Sequence, residues 1–407
     1  MKIFFSVGEP SGDLHGANLI KALRARHDNL ELVGYGGPKM QAAGCELHED
    51  LTQLAIMWIL RVLLNLHKFI GLMWRADRYF RDEKPDAVIL IDYPGFNWWI
   101  ARKAKARGIP VFYYGTPQLW AWLPGRVKKM KKFVDHVLCK LPFEEQWYKD
   151  RDCNATFVGH PFYDELQNQT LDQAFMETMQ NQPGPLVTIL PGSRTQEVAK
   201  NLDAFLKTAK LIKQQQPETR FVVAAFKEKQ LEAIQSKIDA SGLEVEAFVG
   251  RTPELIKLAH SCLACSGSVS LELLFHEKPT VIHYKISKFD HFVQSYLRKV
   301  KYITLVNILW SKQAFYDGEY FTYDPDNAEH EQVPFPEYLT CEDRTADMAR
   351  WITTWLQDND AYQQRVSTLQ TLKQKVAGSG ASAKGAEYIL QHMVDENPAS
   401  ETMSKAA

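Results

Sequence analysis

The chain has 407 residues, 45% of them apolar and 24% charged, and a formal net charge of -1. This length suits about two to three domains, and the composition excludes disordered, collagen-like and coiled-coil proteins. The near-zero net charge argues against a general polyanion binder, so no nucleic-acid partner is expected. Basic residues still cluster locally, as at Arg298, Lys299 and Lys301, where they form either a solvated face or a contact for phosphate groups.

The six cysteines are scattered and do not suggest a disulfide framework. Cys262 and Cys265 form a C-x-x-C pair in a predicted strand, where positions i and i+3 point to opposite faces. The chain contains no G-x-x-x-x-G-K-[ST] and no H-E-x-x-H, and no G-x-G-x-x-G follows its first strand. We therefore expect no metal and no cofactor.

The apolar stretch before Gly8 is too short for a secretory signal, which predicts a cytoplasmic protein.

Short β-rich runs alternate with helical patterns in both halves of the chain. The predicted strands of the first half are Ile3–Val7, Leu32–Tyr35, Ala87–Ile91, Val111–Tyr114, His136–Cys139 and Thr156–Val158. Those of the second half are Leu186–Leu190, Phe221–Ala225, Val245–Val249, Cys262–Cys265, Thr280–Tyr284 and Thr304–Val306. Because buried strands that alternate with helices form parallel sheets, we predict an α/β protein with two doubly wound domains.

The domain boundary is predicted near Pro161–Pro185, where a polar, proline-containing stretch interrupts the pattern. We assign residues 1–165 to an N-terminal domain, 180–375 to a C-terminal domain, 376–393 to a C-terminal helix and 394–407 to a disordered tail. The acidic segment Tyr323–Pro336 is interpreted as a surface loop. Doubly wound sheets bind ligands outside the carboxyl ends of their strands, so functional residues are expected just after strands.

The most apolar segment runs from Leu54 to Trp74, but it is interrupted by charges and does not predict a membrane-crossing helix. Its polar positions Arg61, Asn65 and Lys68 fall on one narrow helical stripe. We interpret the segment as an interfacial contact with an anionic membrane surface, with a buried core helix or a dimer seam as the alternative. The expected membrane-contact residues are Ile59, Val62, Leu63, Leu66, Phe69 and Ile70.

Three groups in the first half follow predicted strands. In the turn GEPSGD, Ser11 and Asp13 either face an anionic or polyhydroxyl ligand or cap the helix that follows. Asp92 ends a buried strand, where its carboxylate is either a general base or a helix N-cap. Trp120 and Trp122 offer flat apolar faces to a sugar or an acyl chain, or belong to the core.

The second half has two comparable turns. Arg194 offers a bidentate fork to a pyrophosphate, with a surface salt bridge as the alternative, and Ser193 with Gln196 predicts a capping box. The other turn consists of Ser266, Gly267 and Ser268. It opens a helix in which Glu272 either accepts the hydroxyls of a ribose or is a first-turn acid favoured by the helix dipole. Asn307 adds an amide at the same rim.

Eight motifs occur in order over about residues 1–310: GEPSGD, GGPKMQAAGCE, IDYPGFN, WAW, LPFE, GHP, LPGSR and SGSVSLE. This series resembles the lipid-A-disaccharide synthase family. The resemblance implies a GT-B glycosyltransferase with two Rossmann-like domains that face each other across a cleft, inversion at the anomeric carbon and no metal. It further implies UDP-2,3-diacylglucosamine as donor and 2,3-diacylglucosamine 1-phosphate (lipid X) as acceptor, giving a β-1,6-linked disaccharide and UDP.

The resemblance also implies roles for individual residues. Asp92 would be the general base for the acceptor hydroxyl. The expected acceptor-side residues are Ser11, Asp13, Trp120 and Trp122, and the expected UDP-donor residues are Ser193, Arg194, Ser266, Gly267, Ser268, Glu272 and Asn307. The chain departs from the family pattern at Gly95, Gln118 and Val306. It also departs from that pattern at Ser268 and Ser270.

Two other interpretations remain open on the sequence alone. One is another UDP-sugar enzyme of the same fold, such as an N-acetylglucosaminyltransferase or an epimerase. The other is a membrane-surface binding protein without catalytic activity, against which the presence of Asp92, Arg194 and Glu272 together argues. A homodimer is a further possibility, because the apolar segment could pack against a second copy.

Overall fold

The computed structural model describes residues 1–54, 66–316 and 321–396. These residues form two compact units, one comprising Met1–Gln167 and the segment from Gly378, the other Asn168–Ala377. Each unit is built around a parallel β-sheet flanked by helices, which confirms the predicted fold class.

The first unit contains a sheet of seven parallel strands in the order β3-β2-β1-β4-β5-β6-β7. The strands are β1 (Lys2–Val7), β2 (Glu31–Gly36), β3 (Glu46–Asp50), β4 (Ala87–Ile91), β5 (Val111–Tyr114), β6 (His136–Cys139) and β7 (Ala155–Phe157). The strand order reverses between β1 and β4, whose ends lie side by side at Val7 and Ile91. Ligands of doubly wound sheets bind at such a switch point.

Both faces of this sheet are covered by apolar side chains. Phe4 packs on one face with Tyr35 and Phe80, while Phe5 packs on the other face with Leu19. The helices are α1 (Pro10–Arg24), α2 (Pro38–Ala42), α3 (Leu66–Glu83), α4 (Pro94–Ala106), α5 (Val127–Phe133), α6 (Pro142–Lys149) and α7 (Pro161–Gln167). Burial on both faces explains why β4 reads as an uninterrupted apolar run in the sequence.

The second unit has a sheet of six parallel strands in the order β10-β9-β8-β11-β12-β13. The strands are β8 (Leu186–Leu190), β9 (Arg220–Ala225), β10 (Val245–Val249), β11 (Ser261–Cys265), β12 (Thr280–Lys285) and β13 (Glu337–Thr340). The helices are α8 (Gln173–Gln180), α9 (Thr195–Gln215), α10 (Glu228–Ser241), α11 (Thr252–Leu258), α12 (Val269–Phe275), α13 (Lys288–Leu297), α14 (Leu305–Trp310), α15 (Thr345–Gln357) and α16 (Asn359–Val376). The switch point lies between β8 and β11.

The C-terminal helix α17 (Ala381–Glu396) belongs to the first unit. The Asp164 carboxylate accepts hydrogen bonds from the backbone N–H groups of Gly380, Ala381 and Ser382 at 2.6, 3.2 and 2.8 Å, and so fixes the helix N-terminus. Ala386 and Ile389 complete the core beneath α1. The predicted tail over 394–407 extends outside the described residues, which end at 396.

One predicted strand is wrong and two strands were not predicted. Thr304 is the N-cap of α14, so the apolar run that follows it is helical, and β13 occupies the edge of the sheet instead. Neither β3 nor β13 contains an apolar run, and the charged sequence of β3 suits a half-buried edge strand. The acidic segment before β13 is irregular, as predicted, but its Phe335 is fully buried.

The predicted helix from Leu54 to Trp74 is described only in part. Leu51–Leu54 forms a 3-10 turn, and α3 is described from Leu66 onward. Ile59, Val62 and Leu63 lie outside the described residues. Among the helices that are described, none combines the length and the apolar character needed to cross a bilayer.

His283 should make the stability of the second unit depend on pH. The side chain is buried, and burial lowers the pKa of His283 from 6.5 to about 4. The unfolded chain therefore binds the proton first as the pH falls, so the free energy of unfolding decreases between about pH 6.5 and pH 4. Between about pH 8 and pH 5, the free energy of unfolding should fall by about 2 kcal/mol less in His283→Met than in the wild type, as measured by urea denaturation.

Gln214→Met, at an exposed uncharged position of the same unit, is the control and should keep the wild-type pH dependence. Equal pH dependence in His283→Met and the wild type would contradict this account of His283.

Candidate active site

The turns after β1 and β4 touch each other at the switch point of the first sheet. A Cβ atom at Gly8 would overlap the Tyr93 ring, so only glycine fits in the turn after β1. The chain then enters α1, and Ser11 is exposed in the first helical turn. A ligand at this edge can therefore reach the Ser11 hydroxyl.

Asp13 fixes a neighbouring helix. Its side chain is only 3% exposed, and its two oxygens accept hydrogen bonds from the backbone N–H groups of Gly37, Lys39 and Met40, each at 3.0 Å. The carboxylate thus caps α2, while α1 has no side-chain cap. Both oxygens are committed to this cap, which does not fit the predicted acceptor-side role of Asp13.

Asp92 does not cap the helix that follows it. The N-cap of α4 is Tyr93, and no side chain caps this helix. Asp92 and Tyr93 both have left-handed backbone angles, with φ of 45° and 46°. The Asp92 carbonyl accepts hydrogen bonds from the Tyr113 hydroxyl at 2.6 Å and from Asn97 Nδ2 at 2.8 Å. The N-cap interpretation is therefore wrong, and the carboxylate has no capping task.

Asn97 was not predicted as a site residue, although it holds the turn after β4. Its side chain is fully buried, and Nδ2 also donates to the carbonyls of Ser6 at 3.1 Å and Ile91 at 3.3 Å. The Ser6 hydroxyl donates to Asn97 Oδ1 at 2.7 Å. The only signal in the sequence was its place at the end of the IDYPGFN motif.

Lys140 forms an ion pair with Asp92 that the sequence analysis also missed. Lys140 Nζ lies 3.1 Å from Asp92 Oδ1, with 13% and 19% of the two side chains exposed. Burial lowers the pKa of Lys140, but the carboxylates of Asp92 and Glu144 outweigh that effect and raise it. Burial lowers the pKa of the nearby His15 to about 4. Lys140 is therefore the charged partner of Asp92, and His15 is neutral.

Of the two predicted acceptor-side tryptophans, Trp120 belongs to the core. It is 1% exposed, and its indole N–H donates to Glu144 Oε1 at 2.8 Å. Glu144 Oε2 accepts from the Thr116 hydroxyl and from two backbone N–H groups. The interpretation of Trp120 as a sugar platform is wrong for this reason, whereas Trp122 is half-buried.

In the second unit, Glu197 organises the turn after β8. Its Oε2 accepts the backbone N–H groups of Ser193 at 3.1 Å and Arg194 at 3.2 Å, so Glu197 takes the place predicted for Gln196. The Arg194 guanidinium lies 2.9 Å from Glu197 Oε1, and 59% of its side chain is exposed. Gly192 has a φ of 120°, which favours glycine at this position. Arg194 thus forms the surface salt bridge that was the alternative to a pyrophosphate contact, while its guanidinium stays accessible.

The second turn, after β11, places Gly267 and Ser268 in exposed positions. The Ser266 hydroxyl donates to the Ile303 carbonyl at 2.8 Å, which ties this turn to the segment before α14. Glu272 lies one turn inside α12 and is 8% exposed. Because β8 and β11 are neighbours, both turns lie at one edge of the sheet.

Asn307 lies near this edge, but its amide is used by the protein. It is fully buried, donates to the Phe335 carbonyl and to Glu337 Oε2 at 2.8 Å, and accepts the Phe335 N–H at 3.0 Å. Burial raises the pKa of Glu337 to about 7, and Glu337 also accepts from the Thr304 hydroxyl and N–H. The predicted open amide at the rim is therefore wrong.

The α3 helix carries an exposed apolar stripe. Leu66, Ile70 and Trp74, four residues apart, are 46%, 44% and 59% exposed. Phe69 faces inward instead, with its ring 5.7 Å from that of Phe96. The prediction of Phe69 as a membrane contact is therefore wrong, because it belongs to the core.

Solved structures share this fold at low sequence identity. The UDP-GlcNAc 2-epimerase from Neisseria meningitidis, crystallised with UDP-GlcNAc, matches with a TM-score of 0.60 at 12% identity, covering 98% of this chain and 100% of that one. A calicheamicin glycosyltransferase matches with a TM-score of 0.56 at 14% identity, covering 97% and 98%. These similarities establish the GT-B type fold, which glycosyltransferases and epimerases share.

Sequence relatives distinguish between these activities. The family described as Lipid-A-disaccharide synthetase matches residues 3–349. The lipid-A-disaccharide synthase of Myxococcus xanthus is 30% identical over 391 residues, which are 96% of this chain and 97% of that protein. That of Coxiella burnetii is 35% identical over 308 residues, 75% of this chain and 81% of that protein. The chain therefore belongs to the lipid-A-disaccharide synthase family of glycosyltransferases, as its ordered motifs imply.

Proposed function

We propose that this protein condenses UDP-2,3-diacylglucosamine with 2,3-diacylglucosamine 1-phosphate to give the β-1,6-linked lipid A disaccharide 1-phosphate and UDP. The family match over residues 3–349 carries the proposal. Accessible polar groups at the switch points of both sheets support it, because each sheet then offers a site for one of the two substrates.

On the acceptor side, Asp92 accepts the proton of the attacking 6-hydroxyl. Its carboxylate is partly exposed and has no capping task, and the Lys140 ion pair fixes its orientation. Ser11, exposed at the start of α1, can hydrogen-bond the acceptor sugar. Asn97 is a positioning residue, since it holds the backbone on which Asp92 sits.

On the donor side, the Arg194 guanidinium contacts the phosphates of UDP. Its exposed guanidinium can exchange the Glu197 contact for a phosphate, because arginine binds phosphate through two parallel charged hydrogen bonds. Ser193, Gly267 and Ser268 are exposed and add hydroxyl and backbone donors. Ser266 holds their turn, and Glu272 follows one helical turn later. Asn307 supports this edge through Glu337 and Thr304, not by direct contact.

The proposed step is a single inverting displacement. The acceptor oxygen forms a bond to the anomeric carbon while the bond from that carbon to UDP breaks and its electron pair goes to the departing phosphate oxygen. The proton goes to Asp92, and the Arg194 charge stabilises UDP as it leaves. This scheme uses no metal.

Because both proposed substrates are acylated, we also place the protein at the cytoplasmic face of the inner membrane. The exposed stripe Leu66, Ile70 and Trp74 shares α3 with the exposed basic residues Lys68 and Arg75. This combination suits the boundary between acyl chains and anionic headgroups. A homodimer seam is the competing use of the same stripe.

The direct test is release of UDP when the protein is mixed with both acylated sugars in detergent. UDP should appear only when both sugars are present. Release that does not require the acceptor would indicate hydrolysis or epimerase-type chemistry, and no release would leave only a binding protein.

Asp92→Asn should lower kcat by about 100-fold to 10,000-fold, because the amide cannot accept the proton. Affinity for UDP, measured by calorimetry, should stay unchanged because Asp92 lies in the other unit. Asp82→Asn, at an exposed carboxylate on α3, is the control and should keep full activity. Near-normal turnover of folded Asp92→Asn would refute its role as the base.

Arg194→Ala should weaken UDP binding about tenfold to hundredfold, the usual contribution of a charged hydrogen bond. Arg194→Lys should give an intermediate value, because it keeps the charge and loses the fork. Arg251→Ala, which breaks a surface ion pair with Asp172 in the same unit, is the matched control. Equal UDP affinity in wild type and Arg194→Ala would exclude the phosphate contact.

Leu66→Glu with Ile70→Glu should reduce partition into anionic vesicles at least tenfold, because each apolar side chain contributes about 1.5–3 kcal/mol when buried. The paired variant Gln41→Glu with Gln146→Glu adds the same charge at exposed sites elsewhere in the unit. Vesicle binding that is the same in both double variants would rule out the α3 stripe as a membrane contact.

A further inference from the structure

Helix α13 (Lys288–Leu297) exposes the side that a soluble protein normally buries. None of its residues is buried, and Phe289, Phe292 and Tyr296 are 73%, 59% and 67% exposed. At about 100° per residue, these three side chains and Leu297, which is 40% exposed, lie on one face. The helices of globular proteins turn such a face toward the core.

The polar side of α13 is the side that faces the protein. His291 lines a cavity of about 330 Å³ together with Tyr338, Thr340 and Arg344. Gln294 and Ser295 share this side and are half-buried. The helix is thus amphipathic with its orientation inverted, so its aromatic face is presented outward.

Positive charge surrounds the aromatic face. Between residues 285 and 301 the sequence has one acidic residue, Asp290, and it is hydrogen-bonded to the Ser287 hydroxyl. The basic residues of this segment are Lys285, Lys288, Arg298, Lys299 and Lys301. Arg298 is buried, while Lys285, Lys288 and Lys299 are exposed. Exposed aromatic rings bordered by lysines are typical of helices that lie in an anionic membrane interface.

The position of α13 relates it to the candidate donor site. The helix follows β12, which is the neighbour of β11, so it begins at the same edge of the sheet as the turn Ser266–Ser268. The segment after α13 reaches that turn directly, since Ile303 accepts the Ser266 hydrogen bond. A surface that contacts α13 therefore lies close to the donor loops.

We propose that α13 is a membrane-contact element of the second unit, with Phe289, Phe292 and Tyr296 at the boundary of the acyl chains of an anionic bilayer and the lysines at the headgroups. The inference rests on the exposure and charge of this helix and does not require transferase activity. Only the role of this contact rests on the proposed function. If the donor substrate is acylated, it lies at the membrane surface, and α13 would hold the donor loops at that surface.

Charge favours a bilayer over a second copy of the chain. Two α13 helices packed face to face would bring two sets of exposed lysines together, and like charges repel. Anionic lipids supply the opposite charge. Two phenylalanines and a tyrosine also combine a large apolar area with a polar tip, which suits the headgroup boundary.

The test is flotation of the full chain with phosphatidylcholine vesicles containing about 30% phosphatidylglycerol. Phe289→Glu with Phe292→Glu should weaken partition about 100-fold or more, because burial of each ring corresponds to roughly tenfold or more. Phe289→Ser with Phe292→Ser should give a smaller loss in the same direction. Gln363→Glu with Gln364→Glu adds the same charge to the exposed side of α16 and should change partition less than twofold.

Binding of the wild type should also fall as salt is raised, because the lysine contribution is screened. Thermal unfolding checks that each variant remains folded. Flotation of the glutamate variant equal to that of the wild type would overturn the proposal. A wild-type dimer that the variant converts to a monomer would assign the face to a second copy instead.

Activity with detergent-dispersed substrates tests whether the α13 rings contact the acyl chains of a substrate instead of a membrane. We expect the α13 variants to keep wild-type UDP release in micelles. A loss there, with flotation unchanged, would assign the rings to the acyl chains of a substrate and overturn the membrane contact. If the wild type releases no UDP but the α13 variants still lose flotation, the proposed function fails and the membrane contact stands.

Discussion

The first candidate site depends on the hydrogen bonds that Asn97 makes beneath the turn after β4. A left-handed backbone costs about 1–3 kcal/mol at a residue other than glycine, and Asp92 and Tyr93 both adopt it. The Asn97 amide bonds the carbonyls of Ser6, Ile91 and Asp92, so β1, β4 and the turn are joined at one point. The strained turn directs the Asp92 carboxylate to Lys140 instead of to the N-terminus of α4.

Buried or partly buried carboxylates hold the other loops in a comparable way. Asp13, Glu144, Asp164, Glu197 and Glu337 each accept two or more hydrogen bonds from backbone N–H groups of a neighbouring turn or helix end. A carboxylate accepts several such bonds at once, which offsets the cost of its burial. Two acidic residues of the motifs, Asp13 of GEPSGD and Glu144 of LPFE, are therefore structural. They fix the loops on which the chemical groups stand.

The sequence predicted the buried strands well, because short β-rich runs such as β4 and β8 suit a sheet that is covered on both faces. The sequence-based predictions failed where a residue's contacts come from residues that are distant in the chain. The partners of Asp13 lie 24 to 27 residues away. The apolar run after Thr304 is helical, and the edge of the sheet is formed by β13, which comes much later in the chain. Trp120 could not be assigned to the core without Glu144, its hydrogen-bond partner.

Separating structural from chemical roles sharpens the candidate site. Asp13, Trp120 and Asn307 have their polar atoms bonded within the protein, which explains their presence without any ligand. Asp92 differs, because it is held in a strained turn beside a partly buried lysine and does not cap the helix that follows. A partly buried ion pair adds little to stability, since the loss of hydration offsets its attraction. Strain and a desolvated charge at one position are the pattern expected where function, and not stability, has set the arrangement.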